Sequence, residues 1–187
     1  MILEETAEKE QFVDFEKPWC KSRLQTKENV LYTVFMAELI YHGSNQKIDF
    51  PKILVQGFYK DFGYGFYCTK LENQAIRWAK VKRNPHIVNI YEYEKDNNLN
   101  IKNFPELSEE WLDFIADCRS GKEHSFDIVE GPMADDTIWD YVEDFLEGRI
   151  SRAAFWELAK FKYPTHQILF CTQSSLKTIR FIRSYEI

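Results

Sequence analysis

The sequence predicts an α+β fold. Three observations carry that expectation. Short apolar runs such as Gln167-Ile168-Leu169-Phe170-Cys171 have the length of strands. Longer windows repeat apolar residues at helical spacing, as at Trp111, Leu112, Ile115 and Cys118. The two kinds of segment interleave, without an internal repeat, along 187 residues of which 44% are hydrophobic and 16% aromatic, enough for one packed core.

Taken in order, Glu38-Leu39-Ile40-Tyr41-His42 reads as a strand that delivers a His42-Gly43-Ser44 turn. Phe50 to Gly57 reads as a helical turn closed by a glycine. A glycine-punctuated aromatic loop, Phe62-Gly63-Tyr64-Gly65, enters a second strand that runs from Gly65 to Thr69. Thr69-Lys70-Leu71-Glu72 has the form of a capping box, opening a helix with Leu71, Ala75, Trp78 and Ala79 on its apolar positions. His86 to Tyr93 alternates like a half-buried strand, and Asn97 to Phe104 forms another that ends at Pro105. Ser108 caps the next helix, and Ser125 to Val129 is a short strand running into the turn Gly131 to Asp136. A helix then carries Ile138, Tyr141, Val142, Phe145 and Leu146, with Gly148 as its stop. Ser151 caps a helix with Phe155, Leu158 and Ala159. The strand Gln167 to Cys171, a turn through Ser174-Ser175-Leu176 and a last strand, Thr178 to Ile182, complete the domain. Residues 1 to 35 are charged and poorly periodic and read as a loosely attached N-terminal extension to a domain over 36 to 187; Met36 is a candidate alternative start.

The net charge of −6 argues against bulk attraction to nucleic acid or to a membrane surface. Neither a signal peptide nor a membrane span is visible. Cys20, Cys68, Cys118 and Cys171 are far apart, with no metal-ligand spacing, so no metal is expected. Cys68 and Cys171 read as small buried hydrophobes, and a reducing cytoplasm fits this usage.

The order Tyr41-His42-Gly43-Ser44, Ile53-Leu54-Val55-Gln56-Gly57, Phe62-Gly63-Tyr64-Gly65-Phe66-Tyr67 resembles the poly- and mono-ADP-ribose polymerase branch of the ADP-ribosyltransferase superfamily. Glu110 to Ile115 and Asp127 to Thr137 resemble pieces of a bacterial family, the domain-of-unknown-function 3990 proteins, and extend the likeness over about residues 38 to 182. The resemblance implies two small packed sheets flanked by helices around an NAD cleft. It also implies that NAD is a substrate, with nicotinamide as leaving group.

Cleavage of the NAD glycosidic bond develops positive charge on the ribose, so a site must clamp the carboxamide, sandwich the ring and stabilise that charge. By resemblance His42 and Gly43 take the carboxamide and the adenosine ribose, Ser44 adds a carboxamide contact, and Tyr67 and Trp78 hold the ring between them. Ala75 stands where the branch often has serine. Gln167 stands where the family has its catalytic glutamate, so the arrangement is His42-Tyr67-Gln167. An amide still accepts a hydrogen bond from the ribose but brings no charge, a loss on the order of 10²–10³ in rate. Gln167→Glu is therefore expected to speed cleavage. Glu130, Asp135 and Asp136 are candidate compensating acids, the two aspartates also reading as helix-start residues. Lys160, Lys162 and Arg119 read as solvated surface charge or as contacts to an NAD phosphate or a target.

The expected function is a mono-ADP-ribosyltransferase, with weak NAD glycohydrolase activity, acting on a protein or nucleic-acid acceptor. By resemblance it is a bacterial toxin or effector with an antitoxin partner. The rival expectation is a catalytically silent NAD- or ADP-ribose-binding module, and a third is a domain that keeps only the fold.

Overall fold

The computed structural model describes residues 37–55, 60–134, 136–159 and 164–187. The expectations for residues 1 to 35, Met36, Gln56, Gly57, Asp135, Lys160, Lys162 and the side chain of Asp136 lie outside the described residues. The elements are β1 (Glu38–Ser44), β2 (Phe66–Cys68), α1 (Glu72–Lys80), β3 (Ile87–Tyr93), β4 (Ile101–Asn103) and α2 (Glu109–Arg119). They continue with β5 (Ile128–Gly131), α3 (Asp136–Leu146), α4 (Arg152–Ala159), β6 (Gln167–Phe170), α5 (Gln173–Leu176) and β7 (Ile179–Glu186). The mixed α+β class expected from the sequence is present.

Two sheets form. The first has the order β1-β3-β7 and is antiparallel throughout. The second has the order β2-β6-β5-β4, with β4 parallel to β5 and the other pairs antiparallel. Because side chains alternate across a strand, each sheet offers two faces. Ile40, Tyr91 and Tyr93 of the first sheet meet Phe66, Cys68, Ile128, Ile168 and Phe170 of the second in one buried cluster, so the sheets pack face to face. The alternate residues Val129 and Leu169 pack beneath Trp111, Leu112, Ile115, Ile138, Val142 and Phe155, so α2, α3 and α4 cover the outer face of the second sheet. Ala75 and Ala79 of α1 pack on Val88 and Tyr41, covering the outer face of the first. At ~25 cal/mol per Å² of apolar surface, these three layers of burial are the main favourable term in folding.

The caps explain several boundaries. Ser108 Oγ accepts from Trp111 N at 3.2 Å at the head of α2, and Ser151 Oγ accepts from Ala154 N at 3.2 Å at the head of α4. Gly148 follows α3 with φ +71°, a conformation that favours glycine.

Other expectations are corrected. His42-Gly43-Ser44 is not a turn: β1 continues through it, paired with Asn89, Val88 and Ile87. Thr69-x-x-Glu72 is not a capping box. Thr69 is held in a β-bridge to Tyr41, its Oγ1 accepts from Leu71 N at 3.1 Å, and Glu72 accepts instead from the Tyr185 hydroxyl. Pro51 to Val55 form no helical turn; Phe50, Leu54 and Val55 are exposed and find no surface to pack on. The strand expected over 97 to 104 shrinks to Ile101–Asn103, because Asp96 turns the chain with its carboxylate on Asn98 N. The strand expected to begin at Ser125 begins at Ile128, and the turn through Ser174 is the helix α5, capped by Thr172 and Ser175. Cys171 is half-buried rather than buried.

Candidate functional site

The site is built where the two sheets touch. Tyr41 N donates to Thr69 O at 2.8 Å and Thr69 N to Tyr41 O at 2.9 Å, which joins β1 to the end of β2. The antiparallel ladder stops at this bridge. Continuing its register by two residues sets Gly43 against Tyr67. Since the backbone of Tyr41 faces Thr69, Gly43 turns its own N–H and C=O to the same edge, where they face an opened ladder.

Gly43 has a second reason to be glycine. A Cβ there would overlap the carbonyl oxygen of Ala75 and lie 2.6 Å from Ala79 N and 2.9 Å from Trp78 Cβ. The strand thus lies directly under the backbone of α1, which carries Trp78 over the same spot. Gly43 lies beside the Cβ of Trp78.

His42, half-buried on the other face of β1, stacks on Phe66 with ring centroids 4.6 Å apart. Its Nδ1 donates to the carbonyl of Tyr67 at 2.6 Å, taking up one group of the opened ladder. Desolvation lowers its pKa to about 4, assisted by the charges of Lys60 and Lys82 and against the hydrogen bond to Tyr67. The ring is therefore neutral at physiological pH, with the proton on Nδ1 and a free acceptor at Nε2.

Tyr67 is anchored at its hydroxyl, which donates to Gly63 O at 2.8 Å and accepts from Phe62 N at 3.2 Å. Gly63 makes this return possible with φ +87°. The ring and Trp78 make no contact with each other among the described aromatic pairs. Lys60 Nζ lies over the Tyr67 ring, 4.8 Å from its centroid. Ser44 Oγ accepts from Gln46 N at 3.3 Å, a local turn that leaves its hydroxyl proton free to donate. Asn89, fully buried opposite His42, secures this loop by accepting from Ile48 N and donating to Gln46 O.

Gln167 opens β6, is 3% exposed, and lies on the same face of the second sheet as Tyr67 and Leu169. Its Nε2 donates to Asp61 Oδ2 at 3.0 Å and to Pro132 O at 3.3 Å. Asp61 also accepts from Arg119 Nη2 at 2.6 Å and from Ala134 N at 2.8 Å. Arg119 is not solvated surface charge. Its side chain is 5% exposed, its guanidinium lies 3.7 Å from the ring centroid of Trp139, and it forms a buried ion pair with Asp61.

Glu130 does not reach Gln167. Alternation along β5 puts it on the face of Ile128, opposite Val129 and hence opposite Gln167. There it pairs with Lys70 Nζ at 2.6 Å and with His166 Nε2 at 3.1 Å. Burial opposes its charge, but hydrogen bonds from His166 and Lys70 prevail and hold its pKa near 2. Two residues that touch Tyr67 and Gln167 were not legible in the sequence as site residues, Lys60 and Asp61. They sit in a loop with no periodicity, and the partners of Asp61 are 58, 73 and 106 positions away.

No described helix is long and apolar enough to cross a membrane. A comparison with curated proteins found no match. Residues 39–181 match the family described as "Protein of unknown function (DUF3990)", and the chain belongs to that family.

Proposed function

We propose that the protein is an NAD-dependent mono-ADP-ribosyltransferase. The observation that carries this reading is the opened ladder between β1 and β2, where Gly43 offers a backbone donor and acceptor beside a neutral His42 that is bonded to Tyr67 O at 2.6 Å. A carboxamide pairs with such an edge as a strand would. In this reading Trp78 and Tyr67 flank the nicotinamide, each stack contributing on the order of 1 kcal/mol. Ser44 adds a contact to the carboxamide, and the free His42 Nε2 accepts from the adenosine ribose. Gln167 Oε1 accepts from the nicotinamide ribose. The C1′–N bond breaks with its electron pair passing to the nicotinamide nitrogen. A nucleophile on a protein or nucleic acid bonds to C1′ and loses its proton; water in its place gives slow hydrolysis. A toxin or effector role with an antitoxin partner, in a bacterial cytoplasm, is the biological setting we propose.

The neutral amide at Gln167 and the Lys60 ammonium over Tyr67 favour one second reading, a silent NAD-binding module. Incubation with labelled NAD and a cell lysate separates the two: label on a macromolecule supports the transferase, and tight binding without turnover selects the module. His42→Ala should weaken NAD binding by roughly 3–10-fold, the worth of one neutral hydrogen bond. Unchanged affinity by calorimetry would remove His42 from the site.

A further inference from the structure

Gln167 carries two donors and one carbonyl oxygen on a rotatable amide, so its orientation is a chemical question that its neighbours must decide. Both groups facing its nitrogen, Asp61 Oδ2 and Pro132 O, are acceptors without protons. A flipped amide would aim oxygen at oxygen twice, inside a site where Gln167 is 3% and Asp61 4% exposed. The nitrogen is therefore fixed inward. Among the described residues no donor reaches Oε1, which is the group left to offer.

Asp61 must be a carboxylate for this to hold. Its three partners, Arg119 Nη2, Ala134 N and Gln167 Nε2, are all donors. An asparagine in its place would point its own NH₂ at a donor whichever way it turned. We propose that Asp61 is the positioning residue of the site: it orients and polarises the Gln167 amide so that a neutral side chain presents an acceptor, with the supporting negative charge held one hydrogen bond behind it. The polarisation follows from the low local dielectric, in which a carboxylate on Nε2–H draws electron density through the amide toward Oε1. The last step, that this oxygen meets the nicotinamide ribose, rests on the transferase reading.

Two measurements on the full chain test the proposal separately from that reading. The first is the side-chain NH₂ signal of Gln167 in protein labelled with ¹⁵N-glutamine, assigned by its loss in Gln167→Met. These protons should exchange slowly in the wild type and at least about tenfold faster in Asp61→Asn. Rapid exchange in the wild type, or exchange indifferent to Asp61→Asn, would overturn the proposal. The second is nicotinamide release from NAD. Asp61→Asn should lower kcat at least about tenfold with KM changed less than about threefold, since it acts on the acceptor and not on the ring clamp. Should that variant fail to fold, because Arg119 is left unpaired, Asp61→Asn with Arg119→Met removes the stranded charge: the Oδ1 of the new amide can then accept from Ala134 N and Gln167 Nε2, with its NH₂ on an apolar side chain. This variant keeps the orientation of the Gln167 amide without the charge behind it, so it should fold and release nicotinamide at least about threefold more slowly than the wild type. A folded double variant with wild-type release would count against the proposal. Slow, Asp61-dependent exchange in a protein that never cleaves NAD would uphold the positioning role and remove the transferase reading alone.

Discussion

At the scale of single residues, the site depends on which groups carry charge. Considered alone, Gln167→Glu adds a helpful carboxylate. In the folded protein that carboxylate would meet Asp61 Oδ2, now 3.0 Å from Nε2, and two such groups cannot both ionise without a large penalty. The single substitution should thus fail to speed nicotinamide release. His42 makes a separate prediction about pH. Its native pKa is about 4 against an ordinary 6.5, so between these values the unfolded chain binds a proton that the native state refuses. Stability must fall as pH drops through that window, and His42→Gln should flatten the fall. Glu130 continues the trend below it. Its native pKa of about 2 against 4.5 adds stability that is present above about 4.5 and lost as pH falls toward 2. Each window is worth roughly 3 kcal/mol as an upper bound, readable from urea unfolding at stepped pH. A wild-type curve flat between pH 6.5 and 4 would refute the neutral His42.

At the scale of elements, the helix α1 reaches both Gly43 and the backbone before Gln167. Its Ala75 and Ala79 seat it on β1 closely enough that Gly43 cannot carry a side chain. Gly43→Ala should push α1 outward and cost roughly 1–3 kcal/mol, lowering the Tm by about 2–4 °C per kcal/mol for a chain of this size. A thermal melt unchanged by that substitution would show that α1 is not seated as described. One turn before Trp78 on the same stripe, Gln74, 1% exposed, donates to His166 O at 2.5 Å and accepts from His166 N at 3.2 Å. One helix therefore fixes Trp78 over Gly43 and the backbone just before Gln167. The helix itself was legible in the spacing of Ala75, Trp78 and Ala79, and its neighbours Gly43 and Tyr67 in short motifs. Its start was misread, because Thr69 has a tertiary use that a local capping pattern cannot disclose. Gln74 and Asp61 were illegible for a related reason: a buried polar residue has a meaning only with its distant partner, here His166, Arg119 or Gln167.

At the scale of the whole molecule, two sheets bury a shared face; α1 covers the outer face of the first, and α2, α3 and α4 that of the second. The class was legible because strand and helix periods are local signals. The pairing order β2-β6-β5-β4 was not, since it joins strands far apart in the chain. The reciprocal bonds of Tyr41 and Thr69 mark the point where the sheets part. They also make the backbone its own recorder of occupancy. In deuterated water the amides of Tyr41 and Thr69 should hold their protons with or without NAD, because the bridge satisfies both. On the proposed reading, the amide of Gly43, two residues along the same strand edge, should surrender its proton sooner in the free protein and keep it when a carboxamide closes the gap. A single glycine signal would then time how long the ligand stays, with no chemistry required and no label on the nucleotide.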